Sequence, residues 1–568
     1  MGRDMPGVFT ARALALLASG LGSLACGPLL DPLATSCRGS ALDISELQGT
    51  GNVSPRLGER ATVQGIVTLL TVDGQPPGLF LQSSQPDGEP LSSEGLFVQA
   101  TEEQLRTLAP GQTVRVRGRV AELGGVTALS ELELVEDCSK ARLAPASVEL
   151  GDSELAERWE SMSIRSSETW TLLDTAELER TGRVLVSPHG RSYAPGHPLG
   201  QAPRPRWALS GLAESIGAWL SAGTVSEHLR LGARAQGLSA LVVAGAPPLL
   251  LAAEPATFHA EPAPTPPVRP AHALRVAALN LDNYFSELGS RGADSELELE
   301  RQRAKLASVL QQLDADILAL SELGNSTAGN TAARGAPASL TELLDDIAAA
   351  TPDELAYRVS TSIASPEGTL RSAIAYRGRQ LRAAGDSWFA SDPAFRRAPL
   401  LQRFESAGGS FTLAVVHLKS KVCSGAVELV GPEGCGAEQR LEEARALLRE
   451  LSALPAAQAE ETLVIGDFNS DVLEAPLLEL KAGGLLDLFV GLSPAERYSY
   501  IFEGRATQLD HALSGPTLAA RLRGAHIWHI NADEPALLGY ELSHPNRAYT
   551  ADPRRSSDHD PIVVDLAP

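Results

Sequence analysis

The residue types best suited to catalysis stand in two short polar segments, each beside an apolar run. The first, Ser556 to Pro561, reads Ser-Ser-Asp-His-Asp-Pro and leads into the apolar run Ile562 to Leu566. The second, Gly466 to Asp471, follows the apolar run Leu463 to Ile465. Histidine titrates near neutral pH, so an acid beside a histidine suits general acid–base hydrolysis. The first segment alone is also typical of a solvated turn or an isolated metal site, but together the two segments predict one active-site rim.

Further polar residues follow predicted strands throughout the C-terminal half of the chain. Each has an ordinary explanation alone, as a capping Asn, a solvated Glu or a hydrogen-bonded core His. In series they predict a carboxylate-rich pocket with added His and Asn and without Cys ligands. That donor set suits Mg²⁺ or Mn²⁺, with Ca²⁺ as a further hard cation. The residues are Asn280, Glu322, His417, Asp467, Asn469, Asp510, Asp558 and His559.

The bulk composition sets limits on domain number and on binding partners. A chain of 568 residues is too long for a single hydrophobic core, so two to four domains are expected. The formal net charge of −22 argues against broad nonspecific phosphate binding, because an acidic surface repels nucleic acid. A site neutralised locally by a divalent cation remains compatible with this charge. Charge therefore counts only mildly against a nucleic-acid substrate.

The N-terminus has the pattern of an export signal. An apolar stretch from Ala13 to Ala25 is too short to span a bilayer and ends in a small-x-small cleavage pattern. Cys26 follows, and the sequence leaves open whether this residue is lipidated. We therefore expect an exported protein, either extracellular or anchored to the outer membrane as a lipoprotein. A lipid anchor is the only predicted contact with a membrane.

The remaining cysteines are consistent with an oxidising compartment. Cys423 and Cys435 bracket a Gly-rich loop and would form a local bridge, while Cys37 and Cys138 would join the two ends of the first folded unit. The alternative is four unpaired thiols. No cysteine spacing is typical of a zinc site.

Two β-rich units precede a Pro-rich linker and an α/β domain. In the first, five β-like runs and one helical turn fit an OB-like barrel. Arg115, Arg117 and Arg119 alternate there and so share one strand face, which would either contact phosphates or be solvated. The second unit offers no evident chemistry. The predicted segments are 1–25 signal peptide, 26–43 tether, 44–147 OB-like barrel, 148–253 second β-rich domain, 254–273 linker and 274–568 catalytic domain.

The order of motifs in the last domain resembles the endonuclease/exonuclease/phosphatase superfamily with the DNase I-like fold. The closest branch is that of bacterial extracellular nucleases with an N-terminal OB-like module, whose start resembles Ile44 to Gly51. The resemblance covers the whole C-terminal domain. Its motifs are Val276 to Phe285, Arg301 to Lys305, Ala315 to Glu322, Val416 to Lys421, Gly466 to Asn469, Tyr498 to Phe502, Leu509 to Leu513, His529 to Pro535 and Ser556 to Pro561.

The resemblance implies a four-layered α/β sandwich that hydrolyses DNA, or RNA, with metal-activated water. It makes Glu322 and Asn280 metal ligands, with Asp558 as a further one. His559 becomes the general base, oriented by Asp510. Asp467 and Asn469 would orient the nucleophile or the phosphate. His417 would donate a hydrogen bond to the phosphate or a proton to the leaving group. Lys419 and Lys421 would contact the substrate backbone. For the two lysines, a solvated surface is the alternative.

Two departures affect substrate details. Where the family usually has Glu-x-Glu-Asn, Glu322 to Asn325 read Glu-Leu-Gly-Asn. Where the branch usually has Asp-Tyr-Asn, Gly539 to Glu541 read Gly-Tyr-Glu. Two other functions share the fold: a lipid or inositol-phosphate phosphodiesterase, and a non-catalytic surface-binding protein. The OB-like module and the whole-domain match favour the nuclease. No protein partner is indicated.

Overall fold

The computed structural model describes residues 37–568 with gaps at 38, 72–75, 142, 152, 201–205, 244–246, 255, 290, 326–337, 350–355, 361–368, 424–430 and 543–547. The predicted signal peptide and Cys26 lie outside the described residues. No helix within this described part is long and apolar enough to cross a membrane.

The first unit is a closed five-stranded barrel with the strand order β1-β2-β3-β5-β4. Alternating Val and Leu side chains fill its interior, as in any strand with one buried face. The disulfide between Cys37 and Cys138 joins the entering chain to the last strand, with the two Cα atoms 5.1 Å apart. The elements are α1 (Ile44–Gln48), β1 (Arg60–Thr71), β2 (Gly78–Gln82), β3 (Gly95–Gln99), α2 (Glu102–Leu105), β4 (Gln112–Leu123) and β5 (Val126–Lys140).

The second unit is also built around a ring of five strands. Its sheet runs β11-β12-β10-β8-β7-β6, and an additional pairing between β11 and β7 closes the ring. Trp170 and Trp207 pack edge to face in its core. The elements are β6 (Ala146–Val148), β7 (Ser163–Asp174), α3 (Leu178–Thr181), β8 (Val184–Ser187), β9 (Ser192–Tyr193), β10 (Trp207–Ser210), α4 (Ala213–Ala222), α5 (Val225–Leu229), β11 (Arg234–Val243) and β12 (Leu249–Ala252).

The second ring repeats the topology of the first. In each, the third and fifth strands pair in parallel, as β3 with β5 and β10 with β12. Helical residues lie between the third and fourth strands in both. The sequence predicted a second β-rich domain, and the structure adds that it is a second barrel of the same strand order.

The C-terminal domain contains two large mixed sheets that pack face to face through an apolar core. Its elements up to the second sheet's central strand are β13 (Leu274–Tyr284), α6 (Glu296–Leu313), β14 (Ile317–Gly324), α7 (Ala338–Ala349), β15 (Tyr357–Val359), β16 (Leu370–Arg377), β17 (Leu381–Ala383), β18 (Trp388–Phe389), β19 (Leu400–Ser406), β20 (Gly409–His417), α8 (Ala437–Ser452), α9 (Ala456–Glu460) and β21 (Thr462–Asp467). The remaining elements are α10 (Ala475–Ala482), β22 (Leu486–Asp487), β23 (Tyr500–Phe502), β24 (Arg505–Thr507), β25 (Asp510–Ser514), α11 (Pro516–Ala519), β26 (Leu522–Ile527) and β27 (Ile562–Leu566).

Helices cover the outer faces of both sheets. Apolar residues of α6 and α7 pack on the sheet β15-β16-β14-β13-β27-β26, and those of α8 and α10 pack on the sheet β17-β19-β20-β21-β25-β22. Helix α6 begins where the Ser295 hydroxyl accepts a hydrogen bond from the Glu298 amide, and its apolar residues recur at helical spacing. The mixed α/β prediction is therefore confirmed for this domain.

The proline-rich segment before β13 lies against the C-terminal domain. The Trp528 indole donates a hydrogen bond to the Pro264 carbonyl at 2.8 Å, and Arg275 donates to the Pro267 carbonyl at 3.0 Å. Proline has no backbone N–H, so a proline-rich segment has few donors for its own carbonyl groups, and side chains of the domain donate to them instead. A third sheet, β23-β24-β9, joins the second barrel to the C-terminal domain.

Candidate active site

Strand register brings the predicted catalytic residues side by side. His417 lies opposite Asp467 in the parallel pair β20–β21, and Asp467 lies opposite Asp510 in the antiparallel pair β21–β25. Asn280, near the end of β13 in the other sheet, donates its side-chain amide to Asp467 Oδ2 at 3.2 Å. All four residues are buried. The predicted convergence of strand ends is therefore present in the structure.

Asp467 is the centre of this arrangement. Oδ1 accepts the backbone amide of Asn469 at 2.8 Å, and Oδ2 accepts the Asn469 side-chain amide at 3.1 Å. Asn469 also donates to the Leu418 carbonyl at 3.2 Å, so its amide holds Asp467 rather than pointing freely into the pocket. Gly466 allows the strands to approach here, because its φ is +135° and an added Cβ would lie 2.3 Å from the Val416 carbonyl oxygen.

Glu322 reaches the same pocket from β14. Its φ of +59° is rare for a non-glycine residue, and such strain often occurs where a side chain must be aimed at a site. Oε2 accepts the Asn283 amide at 3.0 Å, which leaves Oε1 facing His417 Nε2 at 3.6 Å. His417 Nε2 lies equally far from Asp467 Oδ2, at 3.6 Å. The three side chains form a group whose ligand atoms lie within 4.8 Å of one another.

His559 and Asp510 form the second group with Asp467. His559 Nδ1–H donates to Asp510 Oδ2 at 2.7 Å, and the Ser499 hydroxyl donates to the same oxygen at 2.7 Å. Burial alone lowers the pKa of the imidazole, but the carboxylates of Asp510, Asp558 and Asp467 outweigh it and raise that pKa well above the ordinary value. The predicted orientation of His559 by Asp510 is thus present, with Nε2 free for proton transfer when the ring is neutral.

The loop that carries His559 is fixed by hydrogen bonds to its backbone. Asn531 donates its side-chain amide to the His559 carbonyl at 2.7 Å and accepts the Ser556 amide at 2.9 Å. The Ser557 hydroxyl donates to the Asn280 carbonyl at 2.7 Å, which ties the loop to β13. The ring of Tyr500 lies against the imidazole with 4.7 Å between centroids. These contacts restrict His559 to one position.

Several carboxylates crowd the pocket without enough positive charge to balance them. Burial, followed by the nearby carboxylates of Asp558, Glu541 and Glu322, raises the pKa of Asp282 well above its ordinary value. Burial also raises the pKa of Asp467, although His559 opposes the shift. Like charges in a desolvated site destabilise one another unless a cation is present.

This donor set fits a hard divalent cation. Glu322 and Asp467 supply carboxylate oxygen, and His417 adds one imidazole nitrogen. Asn280 lies beside them, with its side-chain nitrogen donating to Asp467 and its oxygen accepting the Asp282 amide. Asp558 is in neither compact group among the described residues; its carboxylate faces the Ser557 hydroxyl at 3.4 Å. Its predicted role as a metal ligand is therefore not matched by these groups, whereas Glu322 belongs to one of them and Asn280 donates to Asp467, which belongs to both.

The position of His417 alters its predicted role. Burial, together with the cations Arg397 and Arg291 and with His559, lowers the pKa of His417 well below the ordinary value. A neutral imidazole can donate one hydrogen bond to a phosphate oxygen or bind a metal. It is a poor source of the proton for a leaving group at neutral pH, so donation to phosphate is the better-supported half of that prediction.

The predicted substrate-binding cations have internal partners. Lys421 forms an ion pair with Glu474, and Lys419 donates to the Ser420 and Val422 carbonyls. The barrel arginines do share one face of β4, but glutamates on β5 pair with them. Those pairs are Arg115 with Glu136, Arg117 with Glu133 and Arg119 with Glu131. No described contact brings these three arginines to the site, and each has a glutamate partner on β5.

Four residues near the site had no role in the sequence interpretation: Ser499, Tyr500, Asp282 and Asn531. Each lies inside a recognised motif, but only folding brings Ser499 to Asp510 and Asn531 to His559. The spacing Asn280–Asp282, two residues apart on one strand, was the one local signal available. Tyr500 had none, because its contact with His559 joins residues far apart in sequence.

The second barrel is joined to the site by ion pairs. Arg191 donates to Asp533 Oδ1 at 2.7 Å, while Asp533 Oδ2 accepts the Tyr498 hydroxyl at 2.8 Å. The Tyr498 ring stacks on His529 with centroids 4.0 Å apart. Arg230 donates to Glu534 at 3.0 Å. The barrel therefore contacts two segments that hold the His559–Asp510 pair, because Ser499 next to Tyr498 donates to Asp510 and Asn531 near Asp533 donates to the His559 carbonyl.

A family model matches the C-terminal domain and neither of the barrels. Residues 278–559 match the model of the Endonuclease/Exonuclease/phosphatase family. The C-terminal domain of this chain belongs to that family. Its members are metal-dependent phosphoester hydrolases, so the domain is a hydrolase of this class. The matched residues include every predicted catalytic and metal position of the domain, from Asn280 to His559. The comparison with curated proteins finds no match.

Solved structures that resemble part of this chain include three of different origin. TDP2 from D. rerio, complexed with single strand DNA product, is 19% identical and covers 52% of this chain and 98% of its own, with a TM-score of 0.33. A family protein from Leptotrichia buccalis is 13% identical (52% and 99%, TM-score 0.36). The Bacteroides thetaiotaomicron mannosyl-6-phosphatase Bt3783 is 18% identical (52% and 99%, TM-score 0.32). At these values the resemblance assigns neither substrate nor metal.

Proposed function

We propose that this protein is an exported, metal-dependent nuclease that hydrolyses phosphodiester bonds of DNA or RNA. The observation that carries the chemistry is the meeting of two groups at Asp467: Glu322 and His417 on one side, Asp510 and His559 on the other. One group suits cation binding and the other suits proton transfer. The preference for nucleic acid rests on the motif order of the whole C-terminal domain together with the preceding barrels.

Each residue has a defined task in this proposal. A bound divalent cation would neutralise the phosphate and favour ionisation of water. Glu322 and Asn280 would hold it, with Asp558 as a further ligand once substrate is present. His559 Nε2 would accept the proton of the attacking water, while Asp510 keeps Nδ1–H oriented and stabilises the imidazolium that forms. Asp467, steadied by Asn469, would orient the water, and His417 would donate to a phosphate oxygen.

We assign the finer architecture in the same proposal. Both barrels are OB-like, which is supported by their common strand order and by the helix between the third and fourth strands. The two face-to-face sheets with helices outside are the four-layered DNase I-like sandwich. Export is supported by the two disulfides, Cys37–Cys138 and Cys423–Cys435, that the sequence predicted. Lipidation of Cys26 belongs to the same proposal and rests on the N-terminal sequence pattern.

The test is cleavage by purified full-length protein. Plasmid, RNA and sphingomyelin are incubated separately with Mg²⁺, Mn²⁺, Ca²⁺ or chelator. We expect nucleic acid to be cleaved with metal and not with chelator. Exclusive cleavage of the lipid would refute the nuclease and favour the lipid phosphodiesterase.

Matched variants test the site. His559→Ala and Asp467→Ala should each lower kcat on nucleic acid by about 10³-fold or more, since each removes a group that acts on the reacting atoms. His526→Ala and Asp386→Ala are the controls, because neither residue lies in the two groups that meet at Asp467. Retention of plasmid cleavage by the first pair would make the site assignment wrong.

A further inference from the structure

A groove that borders the site lies between the second barrel and the C-terminal domain. Its volume is about 970 Å³, and both domains line it. Tyr500 and Arg555, which line it, also border the active site. Tyr500 contacts His559, and the positive charge of Arg555 opposes the rise in the pKa of Asp282. The groove and the site therefore share a wall. Small-molecule sites occupy roughly 300–1,000 Å³, so this groove has room for a large ligand.

The barrel side of the groove corresponds to the ligand-binding face of an OB-type barrel. Such barrels bind oligonucleotides with their second and third strands and with the loops that follow the first and fourth strands. Here those strands are β8 and β10. The lining residues come from them, from the first loop at 174–183, and from Val243, Pro247 and Leu249 beside the other loop. Val184, Leu185 and Ala208 form an apolar floor there.

The equivalent face of the first barrel is already covered. Phe80 of β2 and Phe97 of β3 pack with Leu241 of the second barrel in a shared apolar cluster. The two barrels thus use the same face differently, one for packing and the other for bordering the groove. Because of this difference, the candidate for ligand binding is the second barrel and not the first, which carries Arg115, Arg117 and Arg119.

The charges and rings of the groove suit a phosphodiester chain. Arg183 is exposed at the rim, and Arg206 reaches across to the Glu503 carbonyl on the opposite wall. Phe502, on the β23–β24 hairpin, is 61% exposed and can stack on a base. Three of the four lining carboxylates have partners: Glu177 pairs with Arg180, Glu534 pairs with Arg230, and Asp174 accepts the Ala176 amide.

We propose that this groove binds the single strand of nucleic acid that leads to the scissile phosphate. Arg183 and Arg206 contact its phosphates, and Phe502 stacks on a base. An exposed ring and dispersed guanidinium groups favour an unstacked strand, since bases inside a duplex do not offer their faces. The inference rests on the proposed function for the identity of the ligand, and it makes the second barrel part of the substrate site.

The test is binding of a fluorescent oligothymidylate of ~12 nucleotides to full-length protein in chelator, measured by anisotropy across a salt series. Binding in chelator separates this inference from catalysis, because cleavage is absent. Arg183→Ala and Arg206→Ala should each weaken binding, and each should reduce the slope of log affinity against log salt by about 0.7. Phe502→Ala should weaken binding about tenfold with the slope unchanged.

Controls distinguish binding from folding. Arg165→Ala removes an exposed arginine of the same barrel that is not part of the lining, and it should bind like the wild type. Arg183→Lys should retain most of the affinity because it keeps the charge. Equal binding by Arg183→Ala and wild type, equal loss in Arg165→Ala, or absence of wild-type binding would overturn the inference. Equally tight binding of a duplex of the same length would overturn the single-strand assignment.

The outcomes of this test and of the functional test are independent. A protein that cleaves plasmid but shows no dependence on Arg183 or Arg206 retains the proposed function and loses the inferred groove. A protein that binds the oligonucleotide through the groove but cleaves neither DNA nor RNA loses the nuclease proposal and retains the groove.

Discussion

At the scale of single residues, the site depends on how each charge is balanced. His559 and Asp510 form a tight pair, so protonation of the imidazole is favoured by its neighbour and opposed by burial. In the same pocket, His417 Nε2 lies 3.6 Å from the carboxylates of Glu322 and Asp467, and burial lowers the pKa of this imidazole well below its ordinary value. Two histidines in one pocket therefore have opposite charge preferences, which suits one to accept a proton and the other to donate a hydrogen bond.

This contrast predicts the effect of Asp510→Asn on the pH–rate profile. Removing the carboxylate removes the main cause that raises the pKa of His559, so that pKa should fall. The acidic limb of log kcat against pH should then move to lower pH, while kcat at its plateau falls by about 10²-fold or more because the imidazole loses its orientation. An acidic limb that stays in place or moves to higher pH would show that His559 is not the titrating base. Asp386→Asn is the matched control.

At the scale of elements, β21 is the strand on which the others converge. It separates β20 from β25, so its last residue faces both neighbours at once. The residue before Asp467 has to be glycine, because the Val416 carbonyl occupies the place of a side chain. The strand's apolar residues Leu463, Val464 and Ile465 are buried, which anchors this geometry in the core.

Gly466→Ala should therefore destabilise the domain. Its backbone conformation and the 2.3 Å approach to Val416 both oppose a Cβ atom. We expect the free energy of unfolding to fall by about 3 kcal/mol or more in denaturant titrations. Gly491→Ala is the control, because a Cβ there meets nothing within 4 Å. Equal stability of the two variants would contradict this account of β21.

A second element-scale prediction concerns the segment around β9, through which the second barrel reaches the β23–β24 hairpin. Arg191→Ala leaves the buried Asp533 with fewer partners and loosens Tyr498, which precedes Ser499 and Tyr500. Breaking a buried pair costs about 3–5 kcal/mol of stability. We expect the melting temperature and kcat to fall together, whereas Arg382→Ala, at an exposed pair, should change neither. A double-mutant cycle with Asp533→Asn should give a coupling well above zero.

At the scale of the whole molecule, the two barrels meet at a buried carboxyl group. Glu160 Oε1 accepts hydrogen bonds from the Thr127 amide at 2.9 Å and from Gln48 at 3.2 Å, while Oε2 has no partner among the described residues. Burial, with Glu157 nearby, raises the pKa of Glu160 to about 8. The interface between the barrels therefore favours the protonated acid.

This interface predicts a pH-dependent stability. A carboxyl group with a raised pKa contributes its full stabilisation below the unfolded value of 4.5 and loses it as pH rises towards 8. The shift corresponds to about 5 kcal/mol between the protonation states. Glu160→Gln should flatten the dependence of the melting temperature on pH between pH ~5 and ~8, and should be more stable than wild type at pH ~8. A wild-type profile that rises over this range, or one that the substitution leaves unchanged, would contradict this reading.

The sequence alone predicted which residues meet at the candidate site, and it determined the family to which their domain belongs. Asp467, Asn469, Asp510 and His559 follow or precede apolar runs, and such local patterns depend only on neighbouring residues. The order of these motifs also gave the family, and cysteine positions gave both disulfides. These inferences succeed because strand ends and short motifs are specified by a few consecutive side chains.

Tertiary structure decided how those residues are used. Register places Asp467 between His417 and Asp510, and folding brings Ser499, Tyr500 and Asn531 to them from distant positions. Arg115, Arg117 and Arg119, which alternation along β4 had made candidates for substrate binding, pair with glutamates of β5. In the described part of the chain, the second barrel, and not the first, contacts the C-terminal domain next to the site. None of this is visible locally, because burial, pKa and ion pairing depend on neighbours that are near only in the folded chain.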